Sequence, residues 1–120
     1  MRRAVITGMG IVSCLGNDKA TVTNSLRNGI SGIQRGEDFA EMGLRCNVGG
    51  LIDLDPKDHI DRKVLRFMGD SAAYGYIAAD RAIADAGLSE EMVSNHRTGL
   101  IMGSGGLSGE MFVEAVDVMR

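Results

Sequence analysis

The sequence has no tryptophan, a single proline, two tyrosines and three phenylalanines. A core must therefore be built from Ile, Val, Leu, Met and Ala, whose small volumes demand close packing rather than a few large anchors. Long apolar runs are missing as well. No segment approaches the roughly 20 apolar residues of a membrane-spanning helix, so no membrane partner is expected. Cysteine is scarce: Cys14 and Cys46 have neither CxxC spacing nor a nearby Cys/His cluster, which excludes a disulfide framework and a zinc site and makes a reducing cytoplasm the expected location. Sixteen acidic against thirteen basic residues give a net charge of -3. No broad cationic surface for nucleic acid is available, and any basic patch must be local.

What the chain has in quantity is glycine, seventeen in 120 residues. Ala4 to Thr7 is an apolar run that ends in Gly8 and Gly10, the pattern of a buried strand leaving a sheet through a glycine turn. Thr98 to Met102 repeats that pattern before Gly103 to Gly106. Between the two runs the signals are helical. Asn17 or Asp18 is placed to cap a helix carrying Val22 and Leu26, with Gly29 as its stop. Residues 30–60 suggest short strands and loops, with Pro56 breaking any helix. Asp61 is expected to cap a short helix to Met68, and Asp70 a longer one that runs to Ala86 and halts at Gly87.

That longer helix holds seven alanines between Ala72 and Ala86, which would let other backbones approach it on several sides. Ser108 should cap a last helix with Met111, Phe112, Ala115, Val116 and Met119 at helical spacing. No stop residue follows Met119, so the chain is expected to be part of a longer one.

The glycine turns invite nucleotide-binding and catalytic readings, and the spacing rejects them. Gly8 and Gly10 would need glycine or alanine at Ser13 to complete GxGxxG. The turn from Gly103 to Gly109 has no P-loop lysine, and neither Ser104 nor Ser108 sits in a nucleophile elbow. Arg2 and Arg3 before an apolar stretch, with Ile11 to Cys14 resembling a lipoprotein cleavage box, suggest export. Thr7, Gly8 and Gly10 interrupt that stretch too early for a signal core. His59 and His96 stand alone, and Cys14 is most simply a small buried hydrophobe. Arg62, Lys63 and Arg66 place three cations on one helical face; from charge alone this is a solvated face partly neutralised by Asp58 and Asp61.

Four segments together carry a resemblance. Arg3 to Gly16 (RAVITGMGIVSCLG), Asp61 to Met68 (DRKVLRFM), Ala82 to Leu88 (AIADAGL) and Gly99 to Gly106 (GLIMGSGG) resemble, in that order, the start of the bacterial β-ketoacyl-[acyl carrier protein] synthases, and most of all their synthase I branch. The resemblance implies an α/β, thiolase-like layered α-β-α-β-α fold, of which residues 1–120 are an incomplete N-terminal part, assembled as a homodimer. It implies decarboxylative Claisen condensation of acyl and malonyl thioesters held on acyl carrier protein, without a cofactor. The alternative is a non-catalytic partner subunit of the chain-length-factor kind.

In that family the catalytic cysteine, two histidines and lysine lie downstream of the motifs seen here, so no catalytic residue is assigned. Arg62, Lys63 and Arg66 fall where the family docks its acidic carrier, which reverses the bland reading of those charges. Leu107 falls in the loop lining the family's acyl pocket, where the synthase I type usually has glycine. Both apolar runs should need strands from outside the chain to cover them.

Overall fold

The computed structural model describes residues 3–120. Arg2, read with Arg3 as the basic lead of an export signal, lies outside the described residues. The chain divides into two compact units, one of residues 10–54 and one of residues 1–9 with 55–120.

In the first unit a tight turn is closed by mutual backbone hydrogen bonds between Ser13 and Gly16, at 3.2 and 3.1 Å. It leads into helix α1, Lys19–Arg27, because the Asp18 carboxylate accepts hydrogen bonds from the Thr21 amide and hydroxyl. Gly29, at φ +62°, stops the helix as its position predicts. The helix does not turn its apolar stripe inward. Leu26 is 66% exposed, and the buried residue is Ser25, whose hydroxyl donates to the Leu15 carbonyl at 2.9 Å.

Strands β1 (Ile33–Arg35) and β2 (Val48–Gly50) pair antiparallel, with Ile33 opposite Gly50 and Arg35 opposite Val48. The one-turn helix α2, Glu37–Glu41, lies between them in sequence. Asn17 ties the far end of the unit back, its side-chain amide donating to the Asp53 carbonyl at 2.7 Å.

The second unit is helical. A 3-10 turn, Pro56–Asp58, precedes α3 (Arg62–Leu65), α4 (Asp70–Asp85), α5 (Glu90–Val93) and α6 (Gly109–Val118). Pro56 therefore opens a helical turn instead of breaking one: its missing N–H costs nothing at a first helical position. The residue capping α4 is Gly69, not Asp70. Asp70 sits in the first turn, where its charge favours the positive end of the helix dipole. Helix α4 stops before Gly87, at φ +65°.

The buried apolar side chains are Ile60, Ala73 and Ile77, the last two one turn apart on α4. The N-terminal run also lies against α4. A Cβ at Gly8 would clash with the Ala82 carbonyl oxygen, and the Met9 amide donates to an Asp85 carboxylate oxygen at 2.9 Å. Ala73, buried beside Ile77, and Ala82, against Gly8, lie on opposite sides of α4, so its small side chains admit neighbours on more than one side. Helix α6 ends at Val118 rather than running through Arg120.

Neither apolar run is a strand. Residues 4–7 and 98–102 form no strand pairing with any described residue, and Val5, Ile6, Leu100 and Ile101 are 79%, 86%, 77% and 97% exposed. A strand exists only with a partner to accept its hydrogen bonds, and the described residues supply none at these two places. The chain exposes 10109 Å² of surface. A folded monomer of 12.8 kDa would expose about 6,300 Å², and two separate globules of half that mass about 7,600 Å². Apolar surface expected to need cover is uncovered.

Candidate functional site

The cationic region is built from two consecutive caps. The Asp55 carboxylate accepts from the Lys57 amide at 2.9 Å and fixes the 3-10 turn. Three residues after that turn, the Asp61 carboxylate accepts from the Lys63 amide at 2.7 Å and starts α3. Ile60, buried between the two caps, anchors the segment, and the short helix then presents Arg62 and Lys63 with Arg66 as its C-terminal cap.

All three cations are exposed, and none forms an ion pair among the described residues. The Asp61 carboxylate accepts from the Lys63 amide as the helix cap, and neither Asp58 nor Asp61 forms an ion pair with the trio among the described residues. The Arg66 guanidinium instead lies over the ring of Phe67, 4.4 Å from its centroid, and Phe67 is itself 72% exposed. A cavity of about 490 Å³ opens beside α3, lined by Lys57, Ile60, Arg62, Leu65 and Arg66. Lys57, Ile60, Leu65 and Phe67 were not singled out from sequence. An Asp-Pro pair followed by a lysine is the signal that would have found this turn.

Leu107 is 87% exposed in the glycine-rich loop before α6. It lines a cavity of about 420 Å³ together with Asp70, Ser71, Ser104 and Glu110. Carboxylates and hydroxyls in that lining do not by themselves favour an acyl chain. The Ser104 hydroxyl donates to the Gly106 carbonyl at 2.7 Å, and the Ser108 hydroxyl accepts from the Met111 amide as the helix cap. Both serines hold backbone. Trio and loop both belong to the second unit.

Tyr74, half-buried on α4, has its phenol held above the ordinary value of 10.0, chiefly by burial and then by the Asp70 and Asp55 carboxylates. Cys14 is half-buried near Gly32 and Gly50, Cys46 is exposed, and both are free thiols. His59 and His96 are exposed. Among the described residues no group of three His, Cys, Asp or Glu side chains is placed to hold a metal ion. No helix among the described residues is long and apolar enough to cross a membrane.

Comparison with known proteins places these features in context. A family model described as "Beta-ketoacyl synthase, N-terminal domain" matches residues 1–117. The chain is 53% identical over 120 residues to the 3-oxoacyl-[acyl-carrier-protein] synthase 1 of Haemophilus influenzae, and 50% identical over 121 residues to that of Escherichia coli. It is 34% identical over 105 residues, 87% of its length, to a 3-oxoacyl-[acyl-carrier-protein] synthase 2 of Staphylococcus aureus. Both synthase 1 matches cover the whole chain and 30% of the relative's length; the synthase 2 match covers 25%.

Proposed function

Since the chain belongs to the β-ketoacyl synthase family, we propose that it is part of a condensing enzyme of fatty-acid synthesis acting on acyl-carrier-protein thioesters. The observation that carries this reading is the whole-chain identity of 50–53% to proteins named 3-oxoacyl-[acyl-carrier-protein] synthase 1. In the proposed reaction a cysteine thiolate attacks the acyl thioester and expels the carrier thiol. Malonyl-carrier protein then loses carbon dioxide, and the resulting carbanion attacks the acyl-cysteine thioester, giving a β-ketoacyl thioester and restoring the thiolate. No residue among the 120 is assigned to these steps. Nothing observed favours the non-catalytic alternative.

The layered thiolase-like fold, the homodimer and the cytoplasmic location belong to the same proposal. The uncovered runs at 4–7 and 98–102 support the first, since they are the segments such a sheet would recruit. The contribution of this segment to function is recognition. Arg62, Lys63 and Arg66 are read as the handle for the acidic carrier, working by electrostatic steering that weakens as salt is added. Their exposure, and the absence of ion pairs to them among the described residues, support that role. Replacing Lys63→Glu and Arg66→Glu together in the full-length enzyme is expected to raise KM for acyl-carrier protein about tenfold or more, with small acyl thioesters little affected. Equal loss on both substrates would overturn the assignment.

Leu107 is read as one wall of the acyl pocket once its loop is covered. Leu107→Gly should then shift activity toward longer acyl chains. An unchanged chain-length profile removes Leu107 from the pocket.

A further inference from the structure

The second unit carries an acidic feature close to its cationic one. Helix α6 holds Glu110, Glu114 and Asp117 at i, i+4 and i+7, a single acidic stripe on a helix that contains no lysine or arginine. The start of α6 is seated against the start of α4: a Cβ at Gly69 would clash with Ser108, the cap of α6. A cavity of about 340 Å³ is lined by Lys57 and Arg66 from the cationic region and by Glu110, Met111 and Glu114 from α6.

All four charged side chains are exposed, and no ion pair joins the two sets among the described residues. The acids do not neutralise the cations by contact. They are felt across the cavity, because a space of that volume is about as wide as the screening length of physiological salt. We propose that the acidic stripe of α6 bounds the carrier-docking surface by repelling the acidic carrier protein, so that the carrier settles on the α3 side in one register. The proposal rests on the docking reading above and adds a repulsive edge to a surface otherwise described only by attraction.

Like charges across an interface exclude wrong placements and give up some affinity in doing so. Helix α6 suits that role because its acids stand on a regular scaffold. Glu110 lies in the first turn, where the helix dipole favours an anion, and Glu114 follows one turn later.

The sign of the effect separates this edge from the trio: removing a cation weakens carrier binding, whereas removing these acids strengthens it. In the full-length enzyme, Glu110→Gln with Glu114→Gln should lower KM for acyl-carrier protein about threefold relative to KM for a small acyl thioester, and the gain should vanish at high salt. The charge-preserving pair Glu110→Asp with Glu114→Asp should keep the parent ratio. Glu90→Gln with Glu91→Gln removes the same charge from α5, which does not line the cavity, and should keep it too.

A ratio that stays at the parent value or rises in the α6 Gln pair, while Lys63→Glu with Arg66→Glu still raises KM for the carrier, overturns the acidic edge and leaves the docking reading standing. Parent ratios in both the α6 Gln pair and the trio variant overturn both. A ratio lowered equally by the Asp pair or by the α5 pair would mean that packing or net charge is responsible, and the proposal fails.

Discussion

The two units are held together by different forces. Between residues 10 and 54 the buried residues are Ser25, Gly32 and Gly36, with no apolar side chain among them. That unit is closed by directional polar contacts: Ser25 to Leu15, Asn17 to Asp53, Asp18 to the first turn of α1, and the short β1–β2 ladder. In the other unit the buried residues are Ile60, Ala73 and Ile77, all apolar and gathered around α4. The contrast extends to strands. Ile33–Arg35 and Val48–Gly50, a poor strand pattern with two glycines, pair because about a dozen residues separate them and the loop is cheap to close. The stronger patterns at 4–7 and 98–102 remain unpaired. Strand propensity alone does not make a strand; an available partner does.

The largest expected effect tests that last statement. If the two apolar runs are recruited into a sheet by other parts of a subunit, the amides of Val5, Ile6, Leu100 and Ile101 should exchange with solvent about a thousandfold more slowly in the full-length protein than in the isolated 120-residue chain. That corresponds to roughly 4 kcal/mol of opening free energy. The β1–β2 amides should differ much less. Equally fast exchange of the runs in both proteins would break the comparison and remove the support it gives to a layered fold. Next in size is Ile77→Ala, which removes a side chain that is 4% exposed and should cost about 2–4 kcal/mol by denaturant unfolding, through lost burial and the cavity left behind. A cost below about 1 kcal/mol would show that α4 is not the centre of its unit.

What the sequence made legible follows the same division. Helices are specified by signals a few residues apart, so Asp18, Asp61 and Ser108 cap helices in the structure, and Gly29 and Gly87 end them. Misplacements there are small: Gly69 caps α4 where Asp70 was expected, and Pro56 opens a turn. Burial was poorly legible because it depends on neighbours that local pattern does not reveal. Val22 and Leu26 share a stripe on α1, yet Ser25 is the buried residue, chosen by a carbonyl ten residues earlier.

For the candidate site, the trio was visible as charge at helical spacing, and the resemblance was needed to lift it above a solvated face. The cavity beside α3 was invisible for a different reason. Its walls come from Lys57 and Ile60 on one side of a cap and Leu65 on the other, and no motif joins them.

The smallest effect sharpens the contrast between polar and apolar closure. The Ser25 hydroxyl donates to the Leu15 carbonyl at 2.9 Å from the buried side of α1. Ser25→Ala keeps the volume nearly constant and creates no cavity, so the expected cost of about 1–2 kcal/mol comes from leaving that carbonyl without its partner. The loss should be local. Faster amide exchange is expected in α1 and the Ser13–Gly16 turn, with α4 unchanged, whereas Ile77→Ala should loosen α4 and spare α1. If both substitutions loosen both helices equally, the units share one cooperative core, and the division between polar and apolar closure does not describe how this chain is stabilised.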